Sequence, residues 1–266
     1  MTVSRYSSDL TLAGELADTA DAITTARFRA LDLAVGSKPD RTPVTDADTA
    51  VEDAVRDLLA RRRPGDDVAG EERGGAVGDQ GRVWVLDPID GTKNFLRGTP
   101  VWATLIALVE NGTPVVGMIS APLLGRRWWA GEGGGAWLRD SSGERRLAVS
   151  RVSALADAYV STTDLGSWVR HHSRAAYLAL VDACWESRAF GDFWQHCLVA
   201  EGAIDVAVEP IVNPWDVAAV RVIVTEAGGR FTDLAGRDRI EGGSALSTNG
   251  LLHDDTLATI AGARPG

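Results

Sequence analysis

The stretch VWATLIALVENGTPVVGMISAP, residues 101–122, constrains the fold most. Two apolar runs rich in β-branched residues meet at Asn111-Gly112, the residue pair that supplies the left-handed backbone of a two-residue hairpin turn. Leu12, Leu16, Ala20 and Ile23 recur at helical spacing behind Ser7, Ser8 and Asp9, which can cap a first helix. After a polar loop, VGSKPDRTPVTDAD, a second helix carries Val51, Val55, Leu58 and Leu59 behind Thr45 as cap and Asp48 as first-turn acid. A short strand ending in GEE (70–72), the run VWVL, and a strand pair around GEGGG complete two helices beside an antiparallel-rich sheet.

From about residue 149 the pattern alternates. Strands are expected in AYVSTT, WESRAF and DVAVE, and helices through Leu178 and Leu180, through DFWQHCLVAEG and through WDVAAVRVIVTEAGG. The last buries Val220, Ile223, Val224 and Ala227 and stops at Gly228-Gly229. The expected organisation is an N-terminal α+β lobe over 1–148 and a C-terminal α/β lobe over 149–266, a size that accommodates a large core.

A net charge of -10 sets the surface against polyanions, so neither nucleic acid nor an anionic membrane is an expected partner. The first residues lack a basic segment followed by an apolar run, and no stretch approaches membrane-spanning length, so the expected location is cytoplasmic. Cys184 and Cys197 form no CxxC pair, which disfavours a disulfide framework and a thiolate zinc site.

Acids stand where elements begin or end: Asp48, Glu71, Glu72, Asp87, Asp90 and Asp216. In VLDPIDGTKNF (85–95) a buried-looking strand runs into Asp87 and Asp90 with only Pro88 and Ile89 between them. Turn formation alone accounts for Asp-Pro and Asp-Gly. So does a hard cation, which takes oxygen ligands held on rigid element ends. The histidines show no ligand spacing, which favours magnesium over zinc. Gly91-Thr92, leading into a helix start, exposes amides that can hold a phosphate. Carboxylates, a cation and an anion site together describe metal-assisted phosphoester hydrolysis.

In order and spacing, the Thr45–Asp48 segment, GEE, DPIDGT and WD followed by AAVRVIVTEAGG resemble the inositol monophosphatase family of magnesium-dependent, lithium-sensitive phosphatases, along essentially the whole chain. The resemblance implies a layered α-β-α-β-α sandwich, a small phosphate ester as substrate, water attacking phosphorus directly, and a homodimer. It implies roughly two or three Mg2+ ions per site, held by Glu71, Asp87, the Ile89 carbonyl, Asp90 and Asp216. By the same correspondence Asp48 and Thr92, with Glu71, are catalytic, the Gly91 and Thr92 amides contact phosphate, and Lys38 and Asp40 lie on a loop that closes over the site. On the residues alone, Thr45 and Asp48 serve equally as a plain helix cap, and Asp216 as a partner of the helix dipole.

The family acts on inositol phosphates, sugar bisphosphates, nucleotide phosphates and histidinol phosphate, and SRAFGDFWQHCLVAEGAIDVAVEP discriminates among them. Glu201 interrupts an apolar run, where a charge is costly unless paired or used. With Asp192 and Glu209, and with Phe190 and Trp194 as flat neighbours, it would make an acidic pocket for a cationic, aromatic-like substrate. The wording DGTKNF, WWA, GDF and CLVAEG resembles bacterial members that hydrolyse histidinol phosphate, which is the expected substrate. Alternatively Glu201 pairs with an arginine such as Arg188. Asn249 in TNG is a substrate contact or an Asn-Gly turn. The rival readings are inositol 1-phosphate hydrolysis and a regulatory or RNA-associated protein without turnover.

Overall fold

The computed structural model describes residues 5–38 and 42–262. Helices α1 (Ser7–Arg27) and α2 (Asp46–Arg62) bracket a small hairpin of β1 (Val35–Ser37) and β2 (Pro43–Thr45). Seven strands follow in one sheet: β3 (Asp67–Gly70), β4 (Arg82–Asp90), β5 (Ala103–Glu110), β6 (Thr113–Ala121), β7 (Arg126–Gly131), β8 (Ala136–Asp140) and β9 (Gly143–Arg146). They lie side by side in chain order, and only β3 and β4 run parallel. A short helix, α3 (Thr92–Arg97), follows β4.

The second half interleaves five strands, β10 (Tyr159–Ser161), β11 (Glu186–Arg188), β12 (Val206–Glu209), β13 (Arg230–Thr232) and β14 (Ala245–Thr248), with five helices. The helices are α4 (Leu165–His171), α5 (Arg174–Ala183), α6 (Asp192–Ala200), α7 (Pro214–Glu226) and α8 (His253–Gly262). The strand order is β11-β10-β12-β14-β13, parallel from β11 to β12 and antiparallel beyond.

The layers follow from the two-residue period of the strands. Trp84 and Leu86 of β4, with Ile106, Leu108, Val116 and Met118, face the apolar stripes of α1 and α2. The alternate residues, Val83, Val85, Leu105, Ala107, Val109 and Ile119, face α6 and α7. Those two helices also cover Ala207, Phe231 and Ala245 of the second sheet. Its opposite face, Val160, Val206, Val208 and Leu246, packs on α4, α5 and α8. The result is the expected α-β-α-β-α sandwich. The contact between α7 and β6 is close enough to need Gly117, where a Cβ would sit 2.5 Å from the Ala219 carbonyl oxygen.

The Asn111-Gly112 turn joins β5 to β6 with φ of 51° and 78°, the two left-handed residues that the sequence demands. Two local readings change. Ser7, Ser8 and Asp9 lie inside the first turn of α1 instead of capping it, because Asp9 turns to Arg63 (3.1 Å) and Arg82 (2.7 Å). The segment read as a loop pairs as β1 and β2, which holds Lys38 toward the GEE turn; Asp40 lies outside the described residues. Trp185 is 70% exposed, with its ring edge-on to Tyr159.

Candidate active site

Strand β4 is buried from Val83 through Asp87 to Ile89, and its pairing with β5 shifts register between Asp87 and Asp90. Such an irregularity bends a strand and re-aims its side chains. Asp87 accepts the Ile89 amide (3.0 Å), and the Thr92 hydroxyl donates to the Ile89 carbonyl (2.9 Å). Gly91, at φ 84°, then turns the chain into α3. Asp90 accepts the Phe193 amide (2.6 Å) and so ties the end of β4 to the start of α6. Asp216 occupies the first turn of α7 in a capping box, its carboxylate accepting the Asn213 amide (2.7 Å).

Glu71 follows β3, where Lys38 Nζ reaches it at 2.5 Å and Glu72 at 2.7 Å. The turn is held by Glu52, a buried acid of α2 that accepts the Glu72 amide (2.7 Å) and the Arg73 amide (3.0 Å). Thr45 and Asp48 form the capping box that opens α2, so the plain cap exists. That box uses only Oδ2 of Asp48; Oδ1 is buried with no hydrogen-bond partner among the described residues. Burial, together with the Glu71 charge and against the Thr45 bonds, raises the Asp48 pKa to about 6.

The same physics acts more strongly on the inner acids. Burial, then Glu71, Asp90 and Asp216, raises the Asp87 pKa well above its usual value, and burial with Asp192 and Asp216 does the same to Asp90. Asp216 is pushed up to about 7 by burial, with Glu71 adding to it. Asp48, Glu71, Asp87, Asp90 and Asp216 therefore form one electrostatic neighbourhood, which extends to Asp192. No lysine or arginine pairs with Asp87, Asp90 or Asp216 among the described residues. Nor, among the described residues, are three acidic, histidine or cysteine side chains drawn into a closed ligand shell. The side-chain donors are all oxygens, and the charge of Asp87, Asp90 and Asp216 is uncompensated, which suits a hard cation.

Beside these acids a cavity of about 130 Å3 opens, reached by Asp90, Asp216, Lys93, Asp192, His196 and Glu209. Asp192 is held there at φ 47°, a strained conformation for a residue with a side chain. Glu209 accepts from the Thr163 amide and hydroxyl and from Gln195; burial, against those bonds, raises its pKa to about 8.

Of the residues read as substrate contacts, Asp192 and Glu209 reach this cavity and three others do not. Glu201 is paired with Arg126 (2.7 Å) and Arg145 (2.8 Å) and accepts the Trp128 indole N–H (2.9 Å), so a buried charge has found partners, although not Arg188, which binds Glu186. Asn249 spends its amide on Ser150 (2.9 Å) and the Val152 carbonyl (2.7 Å), and its oxygen on the Leu251 and Leu252 amides, bonds that suit the turn reading. Trp194 packs edge-on to Phe190 away from the cavity. Glu201→Gln is accordingly expected to lower stability by about 1–3 kcal/mol through its lost ion pairs. Its kcat/KM should change in the same proportion for all esters, and thermal melts beside rates on two substrates check this.

Glu52, Lys93, Thr163 and His196 were not singled out from sequence. Glu52 alone carried a signal, an acid within the apolar stripe of α2.

The fold and this ring of acids define a class. The sequence profile of the inositol monophosphatase family matches residues 6–263, and the chain belongs to that family. Among solved structures, an inositol monophosphatase from Zymomonas mobilis superposes with a TM-score of 0.85 at 32% identity, over 97% of this chain and 100% of that one. Within the family, a histidinol-phosphatase of Mycobacterium tuberculosis is 55% identical, covering 95% of this chain and 97% of that protein. One from Streptomyces coelicolor is 52% identical over 96% and 97%.

Proposed function

We propose that this chain is a magnesium-dependent phosphoric monoester hydrolase that converts L-histidinol phosphate to L-histidinol and phosphate. The observation that carries the reading is a cavity in which two carboxylates, the half-buried Asp192 and the buried Glu209, line the space next to the uncompensated acids Asp90 and Asp216. Identity above one half, over nearly the full length, to relatives named histidinol-phosphatase supports the same substrate. An ester with an ammonium group and a polar ring suits an acidic, partly apolar cavity better than a polyol does.

In this reading Glu71, Asp87, the Ile89 carbonyl, Asp90 and Asp216 hold roughly two or three Mg2+ ions. When bound, the ions supply a water of lowered pKa and neutralise phosphate oxygens. The chain does the rest. Thr45 fixes one oxygen of Asp48 and leaves Oδ1 as the acceptor for a proton from the attacking water. Thr92, anchored to the Ile89 carbonyl, orients that water, and the Gly91 and Thr92 amides hold the phosphate. Asp192 and Glu209 bind the cationic alcohol portion. The enzyme is taken to be a cytoplasmic homodimer without nucleic-acid or membrane partners, in keeping with its charge of -10.

The test is a comparison of kcat/KM on L-histidinol phosphate and inositol 1-phosphate at saturating magnesium. Histidinol phosphate is expected to be preferred by about tenfold or more. A faster inositol reaction overturns the substrate, and no turnover of any small ester overturns the activity.

A further inference from the structure

The cavity lies outside the carboxyl ends of the parallel strands β10 and β12, where the second sheet changes sense at β14. Crevices of that kind position ligands. One side chain there has no part in the chemistry above. His196 sits one helical turn beyond Asp192 on α6, 3% exposed, and its Nδ1 is 2.8 Å from the Ser247 hydroxyl on β14. Its other ring nitrogen, Nε2, bonds to no protein atom among the described residues, yet it is not sealed from solvent. The ring lines the cavity, and that nitrogen is its open polar atom.

Glu209 is built the same way. Oε1 takes all three protein donors, from Thr163 and Gln195, and Oε2 takes none. Two buried side chains, each locked at one polar atom and open at the other, therefore share a cavity to which Ile211, Val212 and Val217 add an apolar wall and Asp164 and Ser167 further polar groups. Both open atoms reach solvent through the cavity, so a ligand that displaces that solvent loses affinity unless it hydrogen-bonds to them. Burial also keeps the imidazole uncharged, with its pKa lowered to about 3, so it does not repel an ammonium group.

On the histidinol phosphate reading, we infer that His196 is a specificity-determining residue, its Nε2 hydrogen-bonding the nitrogen-bearing alcohol portion of the ester while Ser247 acts as the positioning residue that fixes the ring. A site built to hydrogen-bond a substrate rejects analogues that leave its polar atoms unpaired, whereas an ester too small to reach them is indifferent.

The experiment compares steady-state rates on L-histidinol phosphate and on glycerol 2-phosphate, which has neither ring nor amine, with magnesium present. His196→Phe is expected to raise KM for histidinol phosphate by about tenfold or more with kcat within about threefold, and to leave kcat/KM for glycerol 2-phosphate within about threefold. His196→Gln, which offers an amide near the same position, recovers part of the loss. Ser247→Ala gives a smaller rise in the same KM. Thermal melts accompany each variant, and should His196→Phe fail to fold, His196→Gln and Ser247→Ala carry the comparison. Equal losses on both esters, or none on either, overturn the role of His196 while leaving the substrate intact. A wild-type enzyme that prefers inositol 1-phosphate overturns the substrate reading and this inference together.

Discussion

Asp90→Asn and Asp216→Asn each lower kcat/KM by about 10³-fold or more, and neither unfolds the protein. The first half of this expectation follows from the carboxylates' position: both are half-buried, both line the cavity, and neither has a basic partner among the described residues. An amide of the same shape keeps one neutral acceptor oxygen but loses the charge that holds a hard cation. The second half follows from what else these acids do. Asp90 accepts the Phe193 amide and Asp216 the Asn213 amide, and an asparagine oxygen can accept either bond. Removing one of several mutually repelling charges should also raise the melting temperature of the cation-free protein. The double variant should be little worse than either single one, because the acids act as a unit. Rates, melts and calorimetric magnesium titrations decide the matter. Near-normal rates in both variants, with unchanged magnesium affinity, would refute the ligand assignment.

How far the sequence led depended on the range of each interaction. The hairpin at Asn111-Gly112, the stop at Gly228-Gly229 and the cap at Thr45 are local, and each formed where the residues said it would. The acids at element ends were visible because a charge beside an apolar run has few uses. Glu201 met the same criterion and had a different use. Its partners Arg126 and Arg145 lie on β7 and β9, which only the sheet brings to it, so no local pattern separates a substrate contact from a satisfied ion pair. His196 shows the opposite failure. A histidine in the apolar run of α6 looks like core, and what distinguishes it is one nitrogen held by Ser247 and one left open, both set by distant strands. The small β1–β2 hairpin was missed because three-residue strands in a polar segment carry no periodicity.

Stripped of divalent cations, the protein is expected to lose stability as pH rises from about 6.5 to 8.5, by about 2–4 kcal/mol. The sign follows from carboxyl groups whose folded pKa lies above the unfolded value. Asp216, at about 7, and Glu209, at about 8, keep a proton in the folded state that the unfolded chain releases near pH 4. Their contribution is complete at low pH and is lost as pH climbs through the folded values, and Asp87 and Asp90 act in the same direction. His196 and His253 oppose this only below about pH 6.5, where the unfolded chain takes up protons that their buried rings refuse. The window above that value therefore isolates the acids. Magnesium competes with protons for the same oxygens, so its stabilisation should grow with pH and reverse the fall. Melts in chelator and in magnesium across the window read both effects. Glu209→Gln should flatten the chelated slope and leave the magnesium response, whereas Asp216→Asn should diminish both; a chelated melting temperature that stays level or rises would mean that these acids are already ionised in the folded protein and that the site tolerates their charge without a cation.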